Sequence, residues 1–110
     1  MSAYQRNKGA RWERQIVNDC KEHGIQATRT APLQTDGQSL PDVTATPLWI
    51  EAKVGAQPPI VRGLKQSQET CPPTHIPCCV AKKDTEQPTI TMLWGDFLEL
   101  LQEWRERGER

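Results

Sequence analysis

The chain has 110 residues and a mass of 12.5 kDa, and 35% of its side chains are hydrophobic. A chain of this length forms one domain rather than two independent cores, and it has no apolar run near the ~18 residues that a membrane span needs. Residues 1–83 carry eleven Lys or Arg and seven Asp or Glu, whereas residues 84–110 carry three and seven. This asymmetry weakly favours a nucleic-acid partner, although two ordinarily solvated surfaces are the simpler explanation.

The pattern of apolar residues predicts eight elements in the order α-β-β-β-α-β-β-α. Helices show apolar residues at helical spacing, and strands show short apolar or alternating runs. The predicted elements are a helix over residues 9–23, strands over 25–30, 40–45 and 48–54, a helix from Pro59 to Thr70, strands over 76–81 and 89–93, and a last helix from Asp96. Thr46-Pro47 separates two of the strands as in a hairpin, and residues 31–39 are predicted to form a loop.

The last helix is predicted to turn an apolar stripe towards the core. Asp96 and Glu99 have the spacing of a capping box at its start. Residues 102–110 are mostly charged and are expected to fray, within a single domain that covers residues 1–110. The stripe consists of Trp94, Phe97, Leu98, Leu101 and Trp104. Together these elements predict a mixed α/β fold whose central sheet is partly antiparallel.

The strand over residues 48–54 carries two opposite charges on one face. Side chains alternate along a strand, so Glu51 and Lys53 share a face, and Trp49 lies on it at the rim of a site or at a subunit contact. A carboxylate and an ammonium in a central strand are costly unless they pair or hold a ligand. The hairpin also brings Asp42 beside Glu51, and two close carboxylates repel each other unless a cation lies between them. A hard divalent cation such as Mg²⁺ satisfies that requirement.

Glu13 lies inside the apolar arc of the first helix, between Cys20 and Val17 in helical projection at about 100° per residue. A charge in that position needs a partner. One interpretation makes Glu13 a further acidic group of the site, and the alternative is a salt bridge to Lys53 or an arginine.

Asp42-x₈-Glu51-x-Lys53 with an upstream helical Glu resembles the PD-(D/E)xK nuclease superfamily. The fuller resemblance, over about residues 6–98, is to small Holliday-junction resolvases of archaeal and phage type. It implies a restriction-endonuclease-like fold and a metal-dependent endonuclease. Asp42, Glu51, the carbonyl of Ala52 and Glu13 would then be ligands of Mg²⁺, for which Mn²⁺ would substitute, and Lys53 would orient or deprotonate the attacking water.

A helix with a Gln also belongs to the resolvase pattern. Gln66 matches the pattern better, whereas the helical phase favours Gln68, so both remain supporting candidates, each with a plain solvated Gln as the alternative. Phosphate contacts supply affinity without sequence readout, which suits an enzyme that recognises branched DNA. The basic residues predicted to make them are Arg6, Lys8, Arg11, Arg14, Lys65 and Lys82.

Four cysteines could suggest a disulfide framework or a zinc site. The N-terminus lacks the apolar stretch of a signal peptide, so we expect a soluble cytoplasmic protein without disulfides. Cys71-x₃-His75-x₂-Cys78-Cys79 is not a usual zinc spacing, so zinc is not expected. Cys78 and Cys79 should face opposite sides of a strand, one in the core and one half-exposed.

The sequence therefore predicts a Mg²⁺-dependent Holliday-junction resolvase, of phage or prokaryotic origin, that acts as a homodimer on branched or double-stranded DNA. A small core and a junction with two strands to cut both favour a two-fold dimer. The alternatives are another nuclease of the superfamily (nicking, repair or restriction-type) and a non-catalytic DNA-binding module with a relic site.

Overall fold

The computed structural model describes residues 2–30 and 40–108, which form a five-stranded mixed sheet with helices against it. This confirms the predicted restriction-endonuclease-like α/β class and the predicted order of elements. The predicted loop over residues 31–39 lies outside the described residues. The elements are α1 (Ala3–Glu22), β1 (Thr28–Arg29), β2 (Val43–Ala45), β3 (Leu48–Gly55), α2 (Ile60–Thr70), β4 (Ile76–Lys83), β5 (Thr89–Met92) and α3 (Trp94–Gly108).

The strands lie side by side in chain order, with β3 at the centre of the sheet. β1, β2 and β3 form an antiparallel meander, and β2 and β3 make the predicted hairpin through a cis Thr46-Pro47 peptide bond. β3 and β4 run parallel, with α2 between them in the chain, and β5 pairs antiparallel with β4. The sequence placed β3 correctly as a central strand, and its two charged side chains, Glu51 and Lys53, are half-buried.

The first helix covers one face of the sheet and begins six residues earlier than predicted. Ser2 caps it in a capping box, because the Ser2 hydroxyl accepts from the Gln5 backbone N–H and the Gln5 side-chain oxygen accepts from the Ser2 N–H. Trp12 and Ile16 are buried against the sheet. The buried sheet residues of that core cluster are Val43, Ala45, Ile50 and Cys78.

The second helix covers the opposite face and buries more of the sheet than the sequence indicated. The Ser67 hydroxyl donates to the Trp49 carbonyl at 2.6 Å and accepts from the Cys78 N–H at 3.1 Å, which ties α2 to both central strands. Cys78 and Cys79 are both fully buried, so the prediction of one half-exposed cysteine is wrong. The reason is that α2 packs directly on Cys79 at Gly63.

Trp49 does not line the rim of a site or an exposed subunit contact, as the strand phase had suggested. Its indole N–H donates to the Thr70 hydroxyl at 2.9 Å, and its ring meets the His75 ring edge-on at a centroid distance of 5.3 Å. The side chain is buried under the end of α2. Trp49 therefore anchors this helix end to β3.

The third helix begins at Trp94, two residues before the predicted start, and its apolar stripe does not face the core. Each residue of α3, a helix that the structure describes in full, is exposed or half-exposed. The predicted inner stripe has exposed fractions from 40% at Leu101 to 70% at Trp94, so its assignment to the core of the chain is wrong. The helix continues to Gly108, and the fraying of residues 102–110 stays a prediction.

None of the helices in the described part of the chain is long and apolar enough to cross a membrane.

Candidate active site

The hairpin places the Asp42 carboxylate at a defined position beside the central strand. Val43 pairs with Ile50, so the same register, continued by one residue, brings Asp42 opposite Glu51. The Asp42 carbonyl accepts from the Thr30 N–H at 3.0 Å, and its carboxylate accepts from the Ala52 N–H at 2.9 Å. The Asp42 residue is thereby held from both neighbouring strands.

Glu51 has the strongest electrostatic perturbation among the carboxylates of the site. The pKa of Glu51 is raised from 4.5 to about 8, mainly by burial and then by Asp42, which acts through its negative charge and as a hydrogen-bond acceptor. The Lys53 ammonium acts in the opposite direction, and the Glu13 charge adds a smaller upward effect on this pKa. The two carboxylates thus lie close together, as the sequence led us to expect, and burial and their repulsion favour the protonated form of Glu51.

Glu13 forms a salt bridge, which was the alternative that the sequence left open. Its Oε1 accepts from Arg29 Nε at 2.7 Å, and both side chains are largely buried between α1 and β1. Burial and the nearby Asp42 raise the Glu13 pKa, while the arginine lowers it. The sequence left the partner open between Lys53 and an arginine, because a contact between residues sixteen apart depends on the fold and leaves no local pattern that would select Arg29.

A cleft of about 740 Å³ brings together four of the five predicted catalytic and metal-binding residues. It lies between the N-terminal half of α1, the ends of the β1–β3 strands and the start of α2. The predicted residues that line it are Arg6, Glu13, Asp42, Ala52 and Lys53. Glu51 is not part of this lining, although it adjoins Ala52 in the strand and interacts electrostatically with Asp42.

The two supporting glutamines are not drawn into the site. Gln66 and Gln68 are both exposed on α2, and Ser67 between them is the side chain that faces the sheet. Since both are exposed and neither lines the cleft, the structure does not favour one over the other, and their supporting role stays a prediction.

The other predicted DNA-binding residues do not line this cleft. Lys8, Arg11 and Lys82 line a second groove of about 600 Å³ on the other side of α1, where Lys8 also forms an ion pair with Asp84 at 3.0 Å. Arg14 is exposed on α1, and Lys65 is exposed on α2. The N-terminal half of α1 thus separates two grooves that both carry basic side chains.

The carboxylates in and beside the cleft fit a hard divalent cation that is bound by few protein ligands. Within residues 2–30 and 40–108, no three His, Cys, Asp or Glu side chains lie together in an arrangement that could hold a metal ion by themselves. Asp42 and Glu51 nevertheless provide two mutually repelling carboxylates. Mg²⁺ commonly uses one or two carboxylates and completes its octahedron with water and substrate phosphate, so the residues present fit this ion.

The salt bridge gives a stability prediction that depends on pH. In Arg29→Met, Glu13 would remain partly buried without its partner, so we expect a loss of about 1–2 kcal/mol at pH 7. The Glu13 pKa is already raised and would rise further, so near pH 4 the carboxyl is protonated in both variants and the loss should shrink. Urea unfolding at the two pH values tests this, with the exposed Arg62→Met as the control. An equal loss at both pH values would contradict it.

Comparison with known families identifies the chain. No curated protein and no solved structure matches it significantly. The sequence model of the family described as archaeal Holliday junction resolvase (hjc) matches residues 4–64, which is more than half of the chain. The match runs from α1 into α2 and contains all the predicted catalytic residues, whereas Lys65, Gln66, Gln68 and Lys82 lie beyond it. The chain belongs to the archaeal Holliday junction resolvase family, a small PD-(D/E)xK-type nuclease family.

Proposed function

We propose that this protein is a Mg²⁺-dependent, structure-selective endonuclease that hydrolyses phosphodiester bonds at four-way DNA junctions. The observation that carries the proposal is the pair of close carboxylates, Asp42 and Glu51, beside a cleft that Lys53 lines, in a member of the resolvase family. A half-buried acidic pair with an adjacent ammonium can hold a metal ion and stabilise the negative charge that develops in phosphodiester hydrolysis.

Each residue of the site has a proposed task. Asp42, Glu51 and the Ala52 carbonyl would hold the ion, and Glu13 would contribute directly or through water. The Ala52 N–H donates to Asp42, and since the N–H and C=O of a strand residue point to the same neighbouring strand, the Ala52 carbonyl points to the Asp42 side as well. A bound Mg²⁺ would supply Lewis acidity at a non-bridging phosphate oxygen. Lys53 would orient or deprotonate the attacking water and stabilise the charge that develops on the phosphate.

The charge distribution around α1 supports binding of a DNA backbone. Arg6 lines the cleft itself, and Lys8, Arg11 and Lys82 line the groove on the other side of the helix. We propose that these side chains, with Arg14 and Lys65, contact phosphates of branched DNA, so that affinity falls steeply with salt and depends little on base sequence.

We also propose that the protein is a homodimer that pairs through α3. The exposed apolar stripe of this helix is the reason, because monomers rarely leave so many large side chains in water. The first turn of α3 contains Asp96 and its last turn contains Arg105 and Arg107. An antiparallel pair of these helices would therefore place basic ends against acidic ends while burying both stripes.

Cleavage of a labelled four-way junction and of its matching linear duplex tests the proposed function. With Mg²⁺ we expect paired, symmetric incisions in the junction and little cutting of the duplex, and with EDTA no cutting of either. Lys53→Met should reduce the cleavage rate by about 100-fold or more, because it removes a charge at the reacting phosphate, and should leave junction affinity within a few-fold. Lys21→Met, in the last turn of α1, is the control lysine.

Each of the other results selects a different function. Equal cutting of junction and duplex would retain the nuclease and reject the junction preference. Tight binding without cutting of either DNA would favour a DNA-binding module with a relic site. Cutting that persists in EDTA would reject the metal dependence.

A further inference from the structure

We propose that the close packing of α2 at Gly63 positions the Lys53 side chain in the cleft, so that Gly63 acts as a positioning residue for cleavage. This inference rests on the proposed function, since it concerns the lysine to which that function assigns a part in the reaction. The confinement of Lys53 can be measured even in a protein that cleaves no DNA.

The backbone of α2 forms one wall of the space that the lysine occupies. Gly63 is buried, and a Cβ atom placed on it would lie 3.1 Å from Lys53 Cγ and 3.3 Å from Lys53 Cε. These two carbons are separated by a single methylene, so the lysine stem lies lengthwise against the helix at this point. A side chain at residue 63 would occupy the space that the stem now uses.

Small residues of the neighbouring strand form the floor of the same space. In the parallel register Lys53 pairs with Ala81, and Glu51 pairs with Cys79. Paired residues project from the same face of a sheet, and both Ala81 and Cys79 are buried. The stem is thus enclosed by Gly63 above and by two small side chains of β4, and this enclosure reduces the rotamer freedom of an otherwise flexible side chain.

Confinement of this kind matters for catalysis because a displacement of about 1 Å in a reacting group can cost about 100-fold in rate. Glu51 and Lys53 alternate with residues of the other face along β3. The strand therefore determines the face from which the Lys53 side chain projects but not the position of its ammonium group. The packing of Gly63 on the stem supplies the missing constraint. We infer that it sets the distance from the ammonium to the Asp42 and Glu51 carboxylates.

Two variants separate the positioning of Lys53 from a general loss of stability. In Gly63→Ala alone, the new Cβ would lie 2.6 Å from Cys79 Sγ, so the helix or the strand would have to shift and the protein could unfold. Cys79→Ala removes that sulfur atom. In the double variant Gly63→Ala/Cys79→Ala, the Lys53 stem becomes the neighbour that must move, by a few tenths of an ångström.

The experiment compares wild type, Cys79→Ala, the double variant and Glu69→Ala, a control that places an alanine on the exposed side of α2. Single-turnover cleavage of a four-way junction and junction affinity are measured together with thermal stability. Relative to Cys79→Ala, we expect the double variant to retain its melting temperature and junction affinity and to lose about 10-fold to 100-fold in cleavage rate. Glu69→Ala should match wild type.

A second readout follows Lys53 itself. Lysines are converted to ¹³C-dimethyl lysines, and the Lys53 resonance is identified by its absence in Lys53→Arg. We expect this resonance to be distinct from those of exposed lysines in wild type and Cys79→Ala, and to move towards them in the double variant. The inference is overturned if the resonance stays in place, whether or not the rate falls. If wild type cuts no DNA, the proposed function fails, and the resonance alone decides whether Gly63 confines Lys53.

Discussion

Glu51→Gln is expected to make the metal-free protein more stable and to abolish cleavage. In the folded chain the Glu51 pKa is about 8 instead of 4.5, so the folded state holds this proton more tightly than the unfolded state does. Stability contributed by that proton is present below pH 4.5 and is lost as the pH rises towards 8. The amide cannot ionise and avoids this loss. Because part of the carboxyl remains accessible to water, we expect a gain of about 2 kcal/mol at pH 7.

The measurements are urea unfolding in EDTA at pH 4 and pH 7, and junction cleavage with Mg²⁺. The gain should vanish at pH 4, where wild-type Glu51 is protonated as well. Mg²⁺ should stabilise wild type by mass action and should have less effect on Glu51→Gln, and the cleavage rate should fall at least about 100-fold. Glu69→Gln makes the same chemical change on the exposed side of α2 and should alter none of these quantities. A variant that is less stable in EDTA than wild type would show that Glu51 is not under strain.

A gain in stability together with a loss of cleavage is informative, because replacement of a purely structural carboxylate has a different effect. Removal of a residue that only supports the fold lowers stability, and activity falls as a consequence. A group kept for its chemistry can instead cost stability while the protein is without metal. Glu51 and Asp42 have the geometry of the second kind, since each raises the energy of the other in the absence of a cation.

Local patterns predicted the core of the candidate site. Alternation along β3 placed Glu51 and Lys53 on one face, and the Thr46-Pro47 turn placed Asp42 opposite Glu51. These are relations between residues close in sequence, where the strand period and the hairpin register leave few alternatives. Their proximity in the structure agrees with that prediction, while their catalytic roles stay a proposal.

The partners of the site residues could not be predicted in the same way. The Arg29 contact with Glu13 joins β1 to α1, and the Gly63 contact with Lys53 joins α2 to β3. Both depend on how helices are set against the sheet, which helical periodicity does not specify. Periodicity gives the face of a helix that is apolar, whereas the identity of the surface that covers it is a property of the whole fold or of an assembly.

The third helix shows most clearly that periodicity identifies the apolar face of a helix but not the surface that covers it. Its apolar residues recur at helical spacing, as predicted, but the stripe is left exposed in the isolated chain. Trp94 and Phe97 stack on each other at a centroid distance of 6.0 Å and still leave 70% and 43% of their surfaces exposed. The same stripe becomes a core if a second copy covers it, which is the physical basis of the proposed dimer.

Leu101→Glu is therefore expected to convert a dimer into a monomer and to uncouple the two incisions. Leu101 lies in the middle of the stripe, so in an antiparallel pair of α3 helices it would meet the corresponding stripe of the other copy. A carboxylate buried there without a partner is costly, and we expect the dimer dissociation constant to rise by about 100-fold or more. Light scattering after size exclusion should give about twice the 12.5 kDa chain mass for wild type and a single chain mass for the variant.

The consequence for activity follows from the two-fold symmetry of a junction. A dimer with two sites can cut both strands during one binding event and linearise a plasmid that carries an extruded cruciform. A monomer has one site, so its incisions are independent and the first product is a nicked circle. Asn18→Glu adds the same charge to the exposed surface of α1 and should remain dimeric with paired cutting. Wild type that is monomeric at micromolar concentration, or a monomeric Leu101→Glu that still linearises the plasmid in one event, would exclude α3 as the surface that couples the two cuts.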